Sequence, residues 1–211
     1  MLDRVTSGRA TPSRTESPAV QGAIVVAATA ALMWVVEVID QVAGGRLDAN
    51  GIEPRELDGL DGVVWAPFLH GGFDHLIGNT IPFLVLGFAI ALGGAARVIL
   101  VTAIVAGIGG LGTWLIAPGD TVHIGASGIV FGYAGYLVAR GVFSRSIPQI
   151  VLGVVVLAVW GTTLLQGLVP EDGISWQGHL FGAIGGVVAA RLLHRRPGYV
   201  AGSAPYPEER R

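Results

Sequence analysis

Residues 125–140 read Gly-Ala-Ser-Gly-Ile-Val-Phe-Gly-Tyr-Ala-Gly-Tyr-Leu-Val-Ala-Arg. A run this apolar belongs in a bilayer. Yet from Ser127 to Arg140 a helix rises only about 20 Å at about 1.5 Å per residue, against a hydrocarbon core about 30 Å thick. Such a helix is too short for a full crossing, so Ser127 is expected roughly 10 Å below the outer surface. A small hydroxyl flanked by Gly125 and Gly128 has little reason to sit there unless it reacts.

The rest of the chain supplies the membrane context. Of its 211 residues 52% are hydrophobic and 13% charged, and the mean hydropathy is +0.63. That composition suits a polytopic membrane protein and not a soluble domain. No cysteine occurs, which excludes disulfides, a thiol nucleophile and cysteine–metal sites. A net charge of −2 gives no reason to expect a nucleic-acid partner.

Apolar runs occur at Pro18–Ile39, His75–Leu92, Ala96–Ala117, Ser127–Ala139, Ile147–Val169 and Trp176–Leu193. They are separated by glycine, proline and charged turns. An acidic loop over 40–74, with the apolar patch Val63-Val64-Trp65-Ala66-Pro67-Phe68-Leu69, reads as a segment lying in the interface between spans 1 and 2. The expected fold is an all-α bundle of six transmembrane helices over 18–193. A polar, disordered cytosolic tail is expected over 1–17 and a second cytosolic tail over 194–211. With both ends inside, Arg46 and Arg55 alone fall outside, while Arg4, Arg9, Arg14, Arg97, Arg140, Arg145, Arg191, Arg195, Arg196, Arg210 and Arg211 fall inside. That is a strong positive-inside bias.

Depth brings the chemistry together. His179 lies about 18 Å above the inner interface by rise from Arg191, and Asn79 about 21 Å by rise to Gly93, close to the level of Ser127. Polar groups at membrane depth are costly, face the bundle interior and mark function. The non-helical stretch 121–126 that delivers Ser127 must be shielded by protein or water, which implies an aqueous cavity opening outward. Ser127 opens a helix, whose free N–H groups and dipole favour a developing oxyanion. His179 can take its proton as a neutral imidazole. His75 and Asn79, one helical turn apart, share a face and can complete an oxyanion hole. No Asp or Glu is expected at this depth, so a dyad fits better than a triad.

These residues resemble the rhomboid family of intramembrane serine proteases. The matching motifs are His70-Gly-Gly-Phe-Asp-His75-Leu-Ile-Gly-Asn79, Gly125-Ala-Ser127-Gly128 and Gly178-His179-Leu-Phe-Gly182-Ala-Ile-Gly-Gly186. They occur in the family's order and cover most of 65–186. The resemblance implies Ser127 as nucleophile, His179 as general base, and His75, Asn79 and the Ser127 N–H as oxyanion hole. It implies a basic bacterial six-span form in the plasma membrane, with no cofactor or metal. The partners it implies are the bilayer and transmembrane substrates, which enter beside the fifth span under a cap formed by 170–175. Two departures stand out. Asp61-Gly62 occupies the place of a Trp-Arg pair, so the interfacial loop is expected to be anchored differently, through Trp65. Phe131 stands where some members have a tyrosine that stacks on the catalytic histidine, keeping the ring and losing the hydroxyl.

Blander roles fit other positions. Gly182 and Gly186 form a small-residue pattern that packs the sixth span on the fourth, and His70 orders the loop. His123 reads as solvated or loop-ordering, His194 as headgroup-facing, and Tyr133 and Tyr136 as packing residues. His70 and His75 lack a third ligand for a metal. Two other functions fit less well: a catalytically silent membrane-helix binder has no need of all four polar residues, and a small transporter would show buried charges and repeat symmetry. Oligomeric state is not indicated by the sequence.

Overall fold

The computed structural model describes residues 16–194, so most of both expected tails lies outside the described residues. Among the described residues the chain is helical: α1 Pro18–Ala43, α2 Gly62–Trp65, α3 Phe73–Ala91, α4 Ala95–Ile116, α5 Ser127–Ser144, α6 Ile147–Gln166 and α7 Trp176–Leu193. Four of them, α1, α3, α4 and α6, are long and apolar enough to cross a membrane by length and composition.

Local sequence sets the ends. Ser17 caps α1 by accepting from the Val20 N–H, with Pro18 in the first turn, and Gly44 closes the helix in the left-handed conformation at φ 74°. This is the proline-in, glycine-out pattern of helix ends. Ser175 caps α7 through the Gly178 N–H, so that helix begins where the apolar run does.

Two helices outrun their apolar stretches. α1 continues past Ile39 to Ala43, and α5 passes Ala139 and Arg140 to Ser144. Arg140 does not stop α5, because its guanidinium lies 5.8 Å from the centroid of the Tyr136 ring one turn earlier and arginine is a good helix former. The turn comes at Arg145, at φ 51°. With 18 residues, α5 rises about 27 Å, so the shortfall read from Arg140 is smaller than expected. α6, by contrast, ends at Gln166 and not at Val169.

The helices meet through their small residues. α7 packs most closely on α5 and next on α4. A Cβ at Gly182 would collide with the carbonyl oxygen of Gly128, and one at Gly186 with that of Gly132. On the other side Gly109 approaches Gly182, and Gly112 takes the ring of Phe181. Around this contact lies a core that includes Leu76, Phe83, Leu86, Val101, Val105, Tyr133 and Leu137. Polar groups within it are paired: the Tyr133 hydroxyl with Thr102 at 2.6 Å, and the Tyr136 hydroxyl with Arg97 at 2.9 Å. α6 is the exception, packing chiefly on α5 and burying only Gly153 and Val156.

Within the protein, the connection between α1 and α3 is held by residues other than Trp65, which is 52% exposed. Arg55 donates to the Ala117 carbonyl at 2.6 Å beyond the end of α4. Trp114 donates to the Glu56 carbonyl at 2.8 Å, and Gly62 lies flat against Gly51 and Ile52. The Arg55 guanidinium meets a need of the helix end, because the last carbonyls of α4 lack intrahelical partners, while the Trp114 indole ties α4 back to a carbonyl of the connection. The end of α1 also holds two fully buried acids that hydropathy gave no reason to expect there. Glu37 accepts from Gln41 at 2.8 Å and Asp40 from the Leu47 N–H at 2.6 Å. Burial, then the charges of Asp40 and Glu37, push the Asp48 carboxyl up to about 6.

Gly186→Ala should destabilise the protein by about 1–3 kcal/mol, because a methyl against backbone cannot be relieved by a rotamer change. Gly161→Ala, with open space around it, should be neutral or mildly stabilising. Thermal unfolding in detergent micelles compares the two.

Candidate active site

The non-helical backbone before α5 is held by partners from the α1–α3 connection. His123 pairs with Ile52 in both directions, at 2.9 and 3.0 Å, and the Gly125 N–H donates to the Ala66 carbonyl at 2.8 Å. The Ala126 N–H donates to His70 Nε2 at 3.3 Å. Buried backbone groups outside regular structure need such partners. Gly125 is required twice over. Its φ is 108°, and a Cβ there would stand 2.7 Å from His75 Cε1.

Ser127 and His179 come together from α5 and α7, with Ser127 Oγ and His179 Nε2 at 2.8 Å. The other ring nitrogen, Nδ1, lies 2.7 Å from the carbonyl oxygen of Gly167. A carbonyl can only accept, so Nδ1 carries the proton and Nε2 accepts from the serine hydroxyl. Phe131 stacks on the imidazole with centroids 4.0 Å apart and planes 5° from parallel.

His75 and Asn79, on one face of α3, reach the same cavity. The Gly71 N–H donates to His75 Nδ1 at 3.3 Å, which leaves the proton on Nε2 beside Gly125. Asn79 is 7% exposed, and its Nδ2 is buried without a hydrogen-bond partner. A buried donor left unpaired is a costly arrangement unless an acceptor arrives. Ser127, His179, His75 and Asn79 all line one cavity of about 830 Å³, walled by residues 118–124 on one side and 170–177 on the other.

The remaining expected positions serve this geometry. Gly128 lies beneath the Gly178 carbonyl, and Gly182 and Gly186 let α7 close on α5. His70 stands edge-on to His75 at 5.2 Å and grips the backbone just before Ser127. Three contacts escape sequence reasoning. The Gly167 carbonyl carries no side-chain signal. Ser175 could have been found as the capping residue ahead of the run beginning at Trp176. His123, read from the sequence as solvated or loop-ordering, does order its loop through Ile52, and only its Nδ1 contact with Ser175, at 2.8 Å, is one that no spacing rule indicates.

Residues 60–196 match the family model for the Rhomboid domain. The chain belongs to the rhomboid family. The uncharacterized protein Rv1337 of Mycobacterium tuberculosis is 51% identical over 82% of this chain and 76% of its own length. The uncharacterized protein ML1171 of Mycobacterium leprae is 48% identical over 82% of this chain and 71% of its own. "Putative rhomboid protease YdcA" of Bacillus subtilis is 31% identical over 59% of this chain and 62% of its own. Family and long apolar helices together make this rhomboid chain an integral membrane protein.

His70 makes a further expectation concrete. Burial first, then the neighbouring His75, lower its pKa from an ordinary 6.5 to about 4, against a smaller opposing pull from the Phe68 carbonyl. The fold therefore needs this ring neutral, whereas the unfolded chain takes up the proton near 6.5. The stability it contributes is fully present above about 6.5 and is lost as pH falls toward about 4. Thermal unfolding at pH 7 and pH 4.5 should show a smaller acid loss for His70→Gln than for wild type.

Proposed function

We propose that this rhomboid protein is an intramembrane serine endopeptidase that cuts transmembrane segments near the outer leaflet. The observation carrying this reading is the directed contact from the Ser127 hydroxyl to the lone pair of His179 Nε2, with Nδ1–H committed to the Gly167 carbonyl. That is the protonation state a general base must have before an attack.

In the proposed reaction Ser127 Oγ attacks the scissile carbonyl carbon while its proton passes to His179 Nε2. The carbonyl oxygen, now an anion, takes hydrogen bonds from Asn79 Nδ2, His75 Nε2–H and the Ser127 N–H at the start of α5. His179, now cationic and lying against the face of Phe131, hands the proton to the departing amine. Water then attacks the acyl-serine by the same route in reverse, releasing the acid and restoring Ser127. The Gly167 carbonyl does the orienting that a carboxylate does in a triad, so the pair works as a dyad.

In this reading α1 and α3–α7 are the six spans of a membrane domain over 18–193, α2 lies along the interface, and both termini are cytosolic. The arginine distribution supports that orientation. Substrate enters beside α6, as its sparse burial suggests, under the 170–175 loop that borders the cavity. A substrate helix must unwind there before its carbonyl can meet Ser127.

Purified protein in liposomes with a model transmembrane substrate tests the reading. Ser127→Ala and His179→Ala should each abolish cleavage, and a fluorophosphonate should label wild type but not Ser127→Ala. Equal cleavage by the serine variant would sink the proposal. Asn79→Ala should slow turnover on the order of 10²–10³-fold, the usual loss for one oxyanion donor.

A further inference from the structure

His123 takes no part in the chemistry just described, yet it stands where three segments meet. Its backbone is paired with Ile52 on both sides. Its ring reaches Thr121 Oγ1 through Nε2 at 2.8 Å and Ser175 Oγ through Nδ1 at 2.8 Å. Ser175 in turn holds the first turn of α7. Its Oγ accepts from the Gly178 N–H at 3.3 Å, and its carbonyl accepts from the N–H of His179 itself at 3.1 Å.

The direction of each bond follows by elimination. Thr121 spends its one hydroxyl proton on the Pro118 carbonyl at 2.6 Å, so toward His123 it can only accept. The proton of the ring therefore sits on Nε2, and Nδ1 is an acceptor. Ser175 then donates to Nδ1 while accepting from Gly178. The chain runs in one sense, from Gly178 N–H through Ser175, His123 and Thr121 to the Pro118 carbonyl. Burial lowers the ring's pKa below its ordinary value, in keeping with the neutral form this chain requires.

We propose that His123, as its Nε2–H tautomer, is a positioning residue that locks the loop bearing Ser127 to the capped end of the helix bearing His179. Its effect on catalysis rests on the hydrolase reading above; the link itself does not. α5 and α7 are already pressed together lower down by their glycines. The His123–Ser175 bond fixes the remaining freedom, the slide and rotation of the α7 end relative to the nucleophile loop. A misplacement of about 1 Å at such a site can cost on the order of 100-fold in rate.

The test uses the full chain in micelles. The rate of Ser127 labelling by a fluorophosphonate is measured for wild type, His123→Leu, His123→Asn, Ser175→Ala and the double variant His123→Leu/Ser175→Ala. The leucine variant should label roughly 10- to 100-fold more slowly. Asparagine, which keeps an acceptor near the Nδ1 position, should recover part of that loss. The double variant should be little worse than the worse single one, because both remove the same bond. Wild-type labelling in the leucine variant, or losses that multiply, would overturn the proposal. Imidazole ¹⁵N shifts of wild type give a second readout that needs no variant to fold, and a proton on Nδ1 of His123 would also overturn it. If wild type is not labelled at Ser127, the hydrolase reading fails instead. The link is then judged by the ¹⁵N shifts and by the same cycle in thermal unfolding, where additive shifts count against it.

Discussion

The approach of α7 to α5 through bare backbone governs the molecule. Gly182 rests on the Gly128 carbonyl and Gly186 on that of Gly132. In lipid no hydrophobic force drives helices together, so close contact and weak Cα–H···O bonds must supply the attraction. This contact fixes how far the start of α5 stands from the first turn of α7, and hence the separation of Ser127 from His179. It also assigns the outer positions. α4 takes the other side of α7, and α6 is left on the far side of α5 with few partners of its own.

A second requirement follows from the first. If Ser127 is to open a helix near His179, the strand of chain before it must run as irregular backbone, where unpaired N–H and C=O groups are costly. The α1–α3 connection answers that need with the Ile52 pair, the Ala66 carbonyl and the ring of His70. It is held in its own turn by Arg55 and Trp114 at the end of α4. The segment that hydropathy alone marks as a loop is thus the support on which the candidate site stands.

The parts of this arrangement visible in the sequence were those that contrast with their surroundings. Ser127, His179, His75 and Asn79 are polar points in or beside apolar runs, and rise per residue suffices to bring Ser127, His179 and Asn79 to one level, with His75 one turn away; all four line one cavity. The bounds of α7 were legible because the apolar run begins beside its cap. The end of α5 was not, since Arg140 reads as an interface marker while its side chain lies back along the helix toward Tyr136. Trp65 is ambiguous for a related reason, as an aromatic residue signals an anchor without saying whether lipid or protein receives it. The Gly167 carbonyl and the burial of Glu37 and Asp40 depend on tertiary neighbours, about which a single chain's pattern is silent.

One consequence concerns α6. A helix with only Gly153 and Val156 buried draws most of its contacts from the surrounding lipid, so its tilt and depth are set by bilayer thickness and acyl-chain order as much as by its own residues. The other long apolar helices bury a larger share of their length against the protein. In this one place the medium acts as part of the fold, and the 170–177 segment that borders the cavity follows a helix whose placement the host membrane helps to define.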